Sequence, residues 1–288
     1  MNPYEFSRHM RTALYQCGYV AKAFRRKVAV EHKEREEHQL STSVSDVDRV
    51  CQDIILLHAY QMVPYVEISS EEIGDLPSDI HELFCGNSSR YVLVVDPLDA
   101  TDCYFSGGDM YASMLGILDQ ETGDMLCALV YFPELGKLYS AIRDAGAFVE
   151  HGMFTTPRRL VTGSPPRTFG EVKRLTEADY AAFEKAGFSL DTMDNCSAAY
   201  AQIRVAEGKL GAMVMRHFHE YDTAIPCLII QELGGAVVGD QGRRVQFQRT
   251  MPRTPLVISS LDHEFAETLY RSQAWGIHDS QQRQRQTG

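Results

Sequence analysis

Val94-Val95-Asp96-Pro97-Leu98-Asp99-Ala100-Thr101-Asp102-Cys103-Tyr104 carries an apolar strand directly into two carboxylates spaced three apart. Pro97 sets one backbone angle between them, so both acids can turn toward one point just past the strand end. The Leu98 carbonyl lies between them as a further oxygen, and hard divalent cations take oxygen ligands. Thr101 is placed to open a short helix whose free N–H groups face an anion, so that cation and phosphate would meet at one place. The same residues also spell an Asp-Pro turn closed by a capping Thr or Asp, and this stretch alone does not separate the two readings.

Upstream, Phe6, Met10, Ala13, Leu14, Cys17, Val20, Ala21 and Phe24 recur at three and four, which predicts a long helix from about Pro3 to Glu37. Its charged end, Glu31 to Glu37, reads as a solvated helix end or loop. Ser45 or Asp46 is expected to cap a second helix. Beyond Pro64 the pattern shortens to β-rich runs at 65–68, 91–95, 112–118, 125–132 and 138–142, with turn signals such as Ser106-Gly107-Gly108 between them. A largely antiparallel sheet is expected there. Past Pro165-Pro166, helices near 177–186, 197–208 and 222–233 alternate with strands at 212–215, 236–238 and 256–258. Helices and strands are mixed in both halves, so α/β or α+β layering fits. The expected division is an N-terminal α+β part (1–155), a C-terminal α/β part (156–275) and a disordered tail (276–288).

With 288 residues, 44% of them hydrophobic, the chain can bury a sizeable core in one large domain or two fused ones. Lys and Arg total 28 against 39 Asp and Glu, a net charge of −11 that repels a phosphate backbone and argues against nucleic-acid binding. The seven cysteines form no C-x-x-C pair and are odd in number, which favours a reducing compartment over a disulfide framework. No window approaches the ~18 apolar residues of a membrane span, and the N-terminus lacks the apolar core of a secretory signal. A soluble cytoplasmic protein without a membrane partner is expected.

Two further acidic features weigh little alone. Glu71-Glu72 follows a predicted strand, but adjacent glutamates usually face solvent, and Asp222 begins an apolar helix, where capping is the default role. Joined to the Asp96 stretch they mean more. Together Asp96-Pro97-Leu98-Asp99-Ala100-Thr101, Glu71-Glu72, and Tyr221-Asp222-Thr223-Ala224 running to Glu232-Leu233-Gly234-Gly235 resemble the inositol monophosphatase family of magnesium-dependent, lithium-sensitive phosphatases. Weaker echoes include Leu129 to Pro133, Ser197-Ala198-Ala199 and Val205 to Gly208, and the likeness spans about residues 4 to 265.

The resemblance implies a layered αβαβα sandwich, a homodimer, and a Mg²⁺-dependent phosphomonoesterase that acts on a small phosphorylated metabolite through metal-activated water. By position it implies metal ligation by Glu71, Asp96, Asp99, Asp222 and the Leu98 carbonyl, with Glu72 close by. Thr101 and Glu72 are the catalytic positions it implies, with Thr101 helping to activate the water, and the N–H groups of Ala100 and Thr101 would hold the phosphate. Ser197, Arg216 and Glu220 are the further substrate-binding positions it implies.

Several positions depart from the family pattern. Ala100 stands where a Gly or Ser is expected, and Tyr221 replaces Trp. Ile225 stands where a small residue is usual, which is expected to narrow the substrate side of the pocket. The water-activating Asp, expected a few residues before a V-T-x-A-D element read here at Thr42 to Asp46, falls near Leu40, with Glu36 and Glu37 the nearest upstream acids. Met215 takes the place of an inositol-binding acid, while Glu220-Tyr221-Asp222-Thr223-Ala224 is closer to the 3'(2'),5'-bisphosphate nucleotidase branch, so that Arg216 could face a second phosphate. His217 and His219 read as partly buried polar residues, because Mg²⁺ prefers oxygen. Fructose-1,6-bisphosphatase activity and a metal-binding, non-catalytic regulatory role are the other readings left open.

Overall fold

The computed structural model describes residues 1–31, 46–72, 78–84, 89–171, 175–191, 197–247 and 253–272. The charged run past Glu31, the Leu40 region, the Ser45 cap and the tail at 276–288 lie outside them.

The three-and-four spacing of the first segment yields α1 (Pro3–Glu31), whose stripe Phe6, Met10, Ala13, Leu14, Cys17 and Ala21 is fully buried. It packs against α2 (Asp46–Met62), which contributes Val47, Cys51, Ile55 and Ala59. Then come β1 (Glu67–Ser70), α3 (Ser78–Phe84), β2 (Tyr91–Asp99) and α4 (Thr101–Phe105). Strands β3 (Ala112–Asp119), β4 (Asp124–Phe132), β5 (Lys137–Ile142), β6 (Gly146–His151) and β7 (Arg158–Arg159) complete a seven-stranded sheet in sequence order. It is antiparallel throughout except that β1 runs parallel to β2. The first strand starts two residues later than its sequence pattern implies, because Tyr65 takes a left-handed φ of 66° and ends the preceding turn.

A second sheet has the order β11-β12-β10-β8-β9. Its strands are β8 (Thr168–Glu171), β9 (Ser189–Leu190), β10 (Ala212–Phe218), β11 (Ala236–Gly239) and β12 (Thr254–Ser260). The helices around it are α5 (Glu177–Lys185), α6 (Ala198–Ala206), α7 (Glu220–Glu232) and α8 (His263–Arg271).

Period-two alternation sorts the core into three apolar layers. Leu93, Val95, Leu115, Ile117, Leu129 and Tyr131 face α1 and α2. Val92, Val94, Met114, Val130 and Phe132 face the other way, onto α6 and α7, whose far side meets Met213, Met215, Val237 and Val257 of the second sheet. Phe169, Val214, Leu256 and Ile258 then turn outward to Phe183 of α5 and to Phe265 and Leu269 of α8. The result is helix, sheet, helix, sheet, helix: the expected αβαβα sandwich. A helix pressed between two sheets must be apolar all round, and every residue of α7 from Thr223 to Ile230 is buried. Ile225 is one of them, fully enclosed in that middle layer. It therefore fills the core, and the expectation that it narrows the substrate pocket is corrected.

Candidate active site

Parallel pairing places the ends of β1 and β2 on one edge of the first sheet. Ser70 is in register with Val95, so Glu71 leaves β1 beside Asp96. In a regular strand Asp96 and Asp99, an odd number apart, would face opposite sides. The β2–β3 register shifts between them, with Asp96 opposite Met114 and Asp99 opposite Ala112. That extra residue, at a proline lacking an N–H, re-aims the second acid. Ala100 then takes a left-handed conformation (φ 65°, ψ 51°) and α4 begins at Thr101. This is the backbone angle a glycine reaches freely and an alanine adopts at a cost.

Asp99 crosses to the middle layer. The Ser197 hydroxyl donates to its Oδ2, and the Ala199 N–H donates to the same oxygen at 3.1 Å. Ser197 also caps α6 by accepting from the Tyr200 N–H at 2.8 Å. Fully buried and committed in both directions, Ser197 positions Asp99 and is not open to substrate, which corrects its sequence-based assignment.

Asp222 enters from α7. That helix starts at Glu220, two residues earlier than the sequence pattern implies, so Asp222 is its third residue and its Oδ2 accepts the His219 N–H at 3.1 Å. Pro226 has no N–H for the Asp222 carbonyl, and Gln202 Nε2 approaches that carbonyl instead at 3.4 Å. Tyr221 stacks on the His219 ring at 4.8 Å, nearly parallel. Burial, then Asp222, Glu71 and Asp96, hold the Tyr221 hydroxyl well above the usual phenol range, so the aromatic wall stands at the acid cluster.

The acids act on one another strongly. Burial, followed by Glu71, Asp99, Asp222 and Asp48, pushes Asp96 well above the usual carboxylate range. Glu71 keeps an exposed edge, yet surrounding protein and then Asp222, Glu72, Asp48 and Asp99 raise it to about 8. Burial raises Asp99 to about 6 against the lowering effect of the Ser197 hydrogen bond. Glu71, Glu72, Asp48, Asp96, Asp99 and Asp222 therefore share one region of high negative potential.

Asp48 is the acid that sequence reasoning missed. It lies in the first turn of α2, is almost fully buried, and its charge acts on both Glu71 and Asp96. One helical turn further on, Gln52 Nε2 donates to the Glu72 carbonyl at 3.1 Å while Ser70 Oγ donates to Gln52 Oε1, which docks α2 to the end of β1. The signal was present: read two residues later, Val44-Ser45-Asp46-Val47-Asp48 has the Val, the hydroxyl residue and the closing Asp at the family spacing. The Leu40 position and Glu36 and Glu37 lie outside the described residues, and the acid that this segment brings to the cluster is Asp48.

Other assigned positions fall as follows. Glu72 is buried beside Glu71, and the Thr101 hydroxyl donates to the Leu98 carbonyl at 3.0 Å, leaving that oxygen a second lone pair. Glu220 is buried in the first turn of α7. Arg216 leaves β10 on the same side as Val214, away from α7, and its guanidinium pairs with Asp179 of α5 at 3.3 Å. The reading in which it faces a second phosphate is corrected, because strand alternation turns it to the outer layer.

Among the described residues, no three His, Cys, Asp or Glu side chains already close on one ion-sized point. The donor set is nevertheless all oxygen and carries more like charge than burial tolerates, which is the chemistry that suits a hard divalent cation once the side chains close in. Five described cysteines, Cys17, Cys51, Cys103, Cys127 and Cys227, are buried free thiols. No described helix is long and apolar enough to cross a membrane.

The Inositol monophosphatase family model matches residues 6–278. A histidinol-phosphatase of Streptomyces coelicolor is 25% identical over 218 residues, covering 70% of this chain and 75% of the relative. A putative Nus factor SuhB of Neisseria meningitidis serogroup A is 27% identical over 210 residues, covering 69% and 74%. The solved inositol monophosphatase of Anabaena (Nostoc) sp. PCC 7120 superposes with a TM-score of 0.68 at 16% identity, covering 94% of this chain and 96% of that one, a likeness of fold. With a match over nearly its whole length and the same layered architecture, this chain belongs to the inositol monophosphatase family.

Proposed function

We propose that the protein is a Mg²⁺-dependent phosphomonoesterase that hydrolyses a small phosphorylated metabolite. The supporting observation is the gathering of Glu71, Asp96, Asp99, Asp222 and Asp48 at the end of β2, bordered by Ala100 and Thr101. Phosphatase names among the relatives agree with it. Glu71, Asp96, Asp99, Asp222 and the Leu98 carbonyl would hold Mg²⁺, with Glu72 beside them. When bound, the cation supplies Lewis-acid polarisation of a phosphoryl oxygen and lowers the pKa of water. The Ala100 and Thr101 N–H groups face the phosphate oxygens. The Thr101 hydroxyl, whose proton is directed at the Leu98 carbonyl, accepts a hydrogen bond from the attacking water, and Asp48 is the carboxylate that takes up the proton. No covalent enzyme intermediate is needed.

The test is phosphate release from a panel of sugar, inositol, nucleotide and bisphosphate esters, with and without Mg²⁺. Metal-dependent turnover of at least one ester is expected, and Asp99→Asn should lose Mg²⁺ binding and turnover while staying folded. Absence of release from every ester in the presence of Mg²⁺ would overturn the enzyme reading in favour of a metal-binding regulatory protein.

A further inference from the structure

Arg216 is spent on Asp179, but another guanidinium stands on the approach to the site. β12 enters the second sheet at Thr254, which is in register with Phe218, the last residue of β10. Arg253 therefore lies beside the turn from β10 into α7. Its Nη1 reaches the His217 carbonyl at 3.5 Å, the outer limit of a hydrogen bond, and its side chain is exposed. Near the end of β10 His217 takes a left-handed φ of 54°, and the residues that follow bring the His219 ring onto Tyr221, which directly precedes Asp222. A molecule with its phosphate at Ala100 and Thr101 and its remainder along Tyr221 would thus run from the acid cluster toward a cation.

An exposed guanidinium with one long hydrogen bond keeps most of its donors available, and its fork matches carboxylate and phosphate oxygens. We propose that Arg253 determines leaving-group selectivity by binding a second anionic group on the alcohol portion of the substrate, so that doubly anionic phosphate esters are preferred over esters with neutral leaving groups. This rests on the phosphomonoesterase reading, and the test separates the two.

Alkane bisphosphonates of three to six carbons and alkyl monophosphonates of equal length, whose C–P bonds the proposed hydrolysis leaves intact, would be titrated into the Mg²⁺-loaded full chain. At least one bisphosphonate should bind about fivefold or more tighter than its monophosphonate partner. Arg253→Gln should remove that preference, Arg253→Lys should restore part of it, and monophosphonate binding should stay unchanged. An equal loss for both ligand types in Arg253→Gln, or no preference in the wild type, would overturn the proposal. Failure of the enzyme reading would show separately, as absence of phosphate release from the ester panel whatever the phosphonate result.

Discussion

The Ser197 hydroxyl donates to Asp99 Oδ2, tying the end of β2 to the first turn of α6. Ser197→Ala removes that bond and the α6 cap together, a loss of about 2 kcal/mol in unfolding free energy. Because the Ser197 bond lowers the Asp99 pKa, the variant should also hold its proton to higher pH. The acid limb of Mg²⁺-dependent turnover should move upward, and Mg²⁺ affinity near neutral pH should fall. A variant with an unchanged pH profile and unchanged Mg²⁺ affinity would reduce Ser197 to a helix cap.

Metal-free protein should be least stable where the cluster is fully charged. Glu71 rises from 4.5 to about 8 and Asp99 from 3.8 to about 6 on folding. For an acid whose pKa is raised by folding, the native state binds more protons than the unfolded chain, so stability is greatest below the unfolded pKa and declines as pH rises through the folded one. The melting temperature in chelator is therefore expected to fall between about pH 4 and 8, and Mg²⁺ should recover it mainly at the upper end. Calorimetry across that range, with and without Mg²⁺, checks both parts; a flat metal-free profile would show that the acids do not repel one another.

Ala100→Gly relieves the left-handed alanine. The relief of about 1 kcal/mol or more is partly offset by glycine's greater unfolded-state entropy, leaving a net gain of about 0.5 kcal/mol. Turnover should be retained or improved. Denaturant unfolding and steady-state kinetics on the same preparation would detect the reverse, a destabilised and slower enzyme, which would show that the methyl group is used.

If Asp48 takes up the water proton, Asp48→Asn should reduce kcat by about 100-fold or more while changing KM little. The substitution also removes one charge from a crowded region, so the metal-free variant should melt higher than wild type near pH 8. Near-wild-type kcat in this variant would assign proton uptake elsewhere.

Ile225→Ala opens a cavity in the middle helical layer and should cost about 2–5 kcal/mol. Relative kcat/KM across the ester panel should be unchanged, since the side chain is enclosed. A shift in substrate preference without loss of stability would return Ile225 to the pocket.

The D-P-L-D acids were legible only because Asp96-Pro97-Leu98-Asp99 stands in order with Glu71-Glu72 and Tyr221-Asp222-Thr223-Ala224, while the apolar stripe of α1 follows helical spacing without interruption. Short or edge elements escaped notice, α3, β7 and β9 because they bury too little to leave a pattern, and β6, β8 and α8 were missed although they bury Val149, Phe169 and Phe265. Three site errors share one cause, which is that nearness in sequence does not give direction. Arg216 adjoins Met215, but alternation along β10 sends the two side chains to opposite layers. Ile225 is one turn from Asp222, yet α7 is covered on every side. Ser197 looked like a ligand-binding hydroxyl until the fold supplied Asp99, which lies in another layer and 98 positions earlier in the chain. Val44 to Asp48 fits the V-T-x-A-D spacing as well as Thr42 to Asp46 does, and only the docking of α2 through Gln52 shows that Asp48 is the acid at Glu71.

Glu71 and Asp96 stand on the first sheet, Asp48 on the helix outside it, and Asp222 on a helix of the middle layer. A cation shared among them would act as a clasp across layers that are otherwise joined mainly by apolar contact and by a few hydrogen bonds such as Ser197 to Asp99, resisting sideways slip of α7 against β2. Such a clasp has a mechanical signature: Mg²⁺ should slow amide exchange at the start of α7 and at the end of β2 together, while β11, at the far edge of the second sheet, exchanges at its metal-free rate.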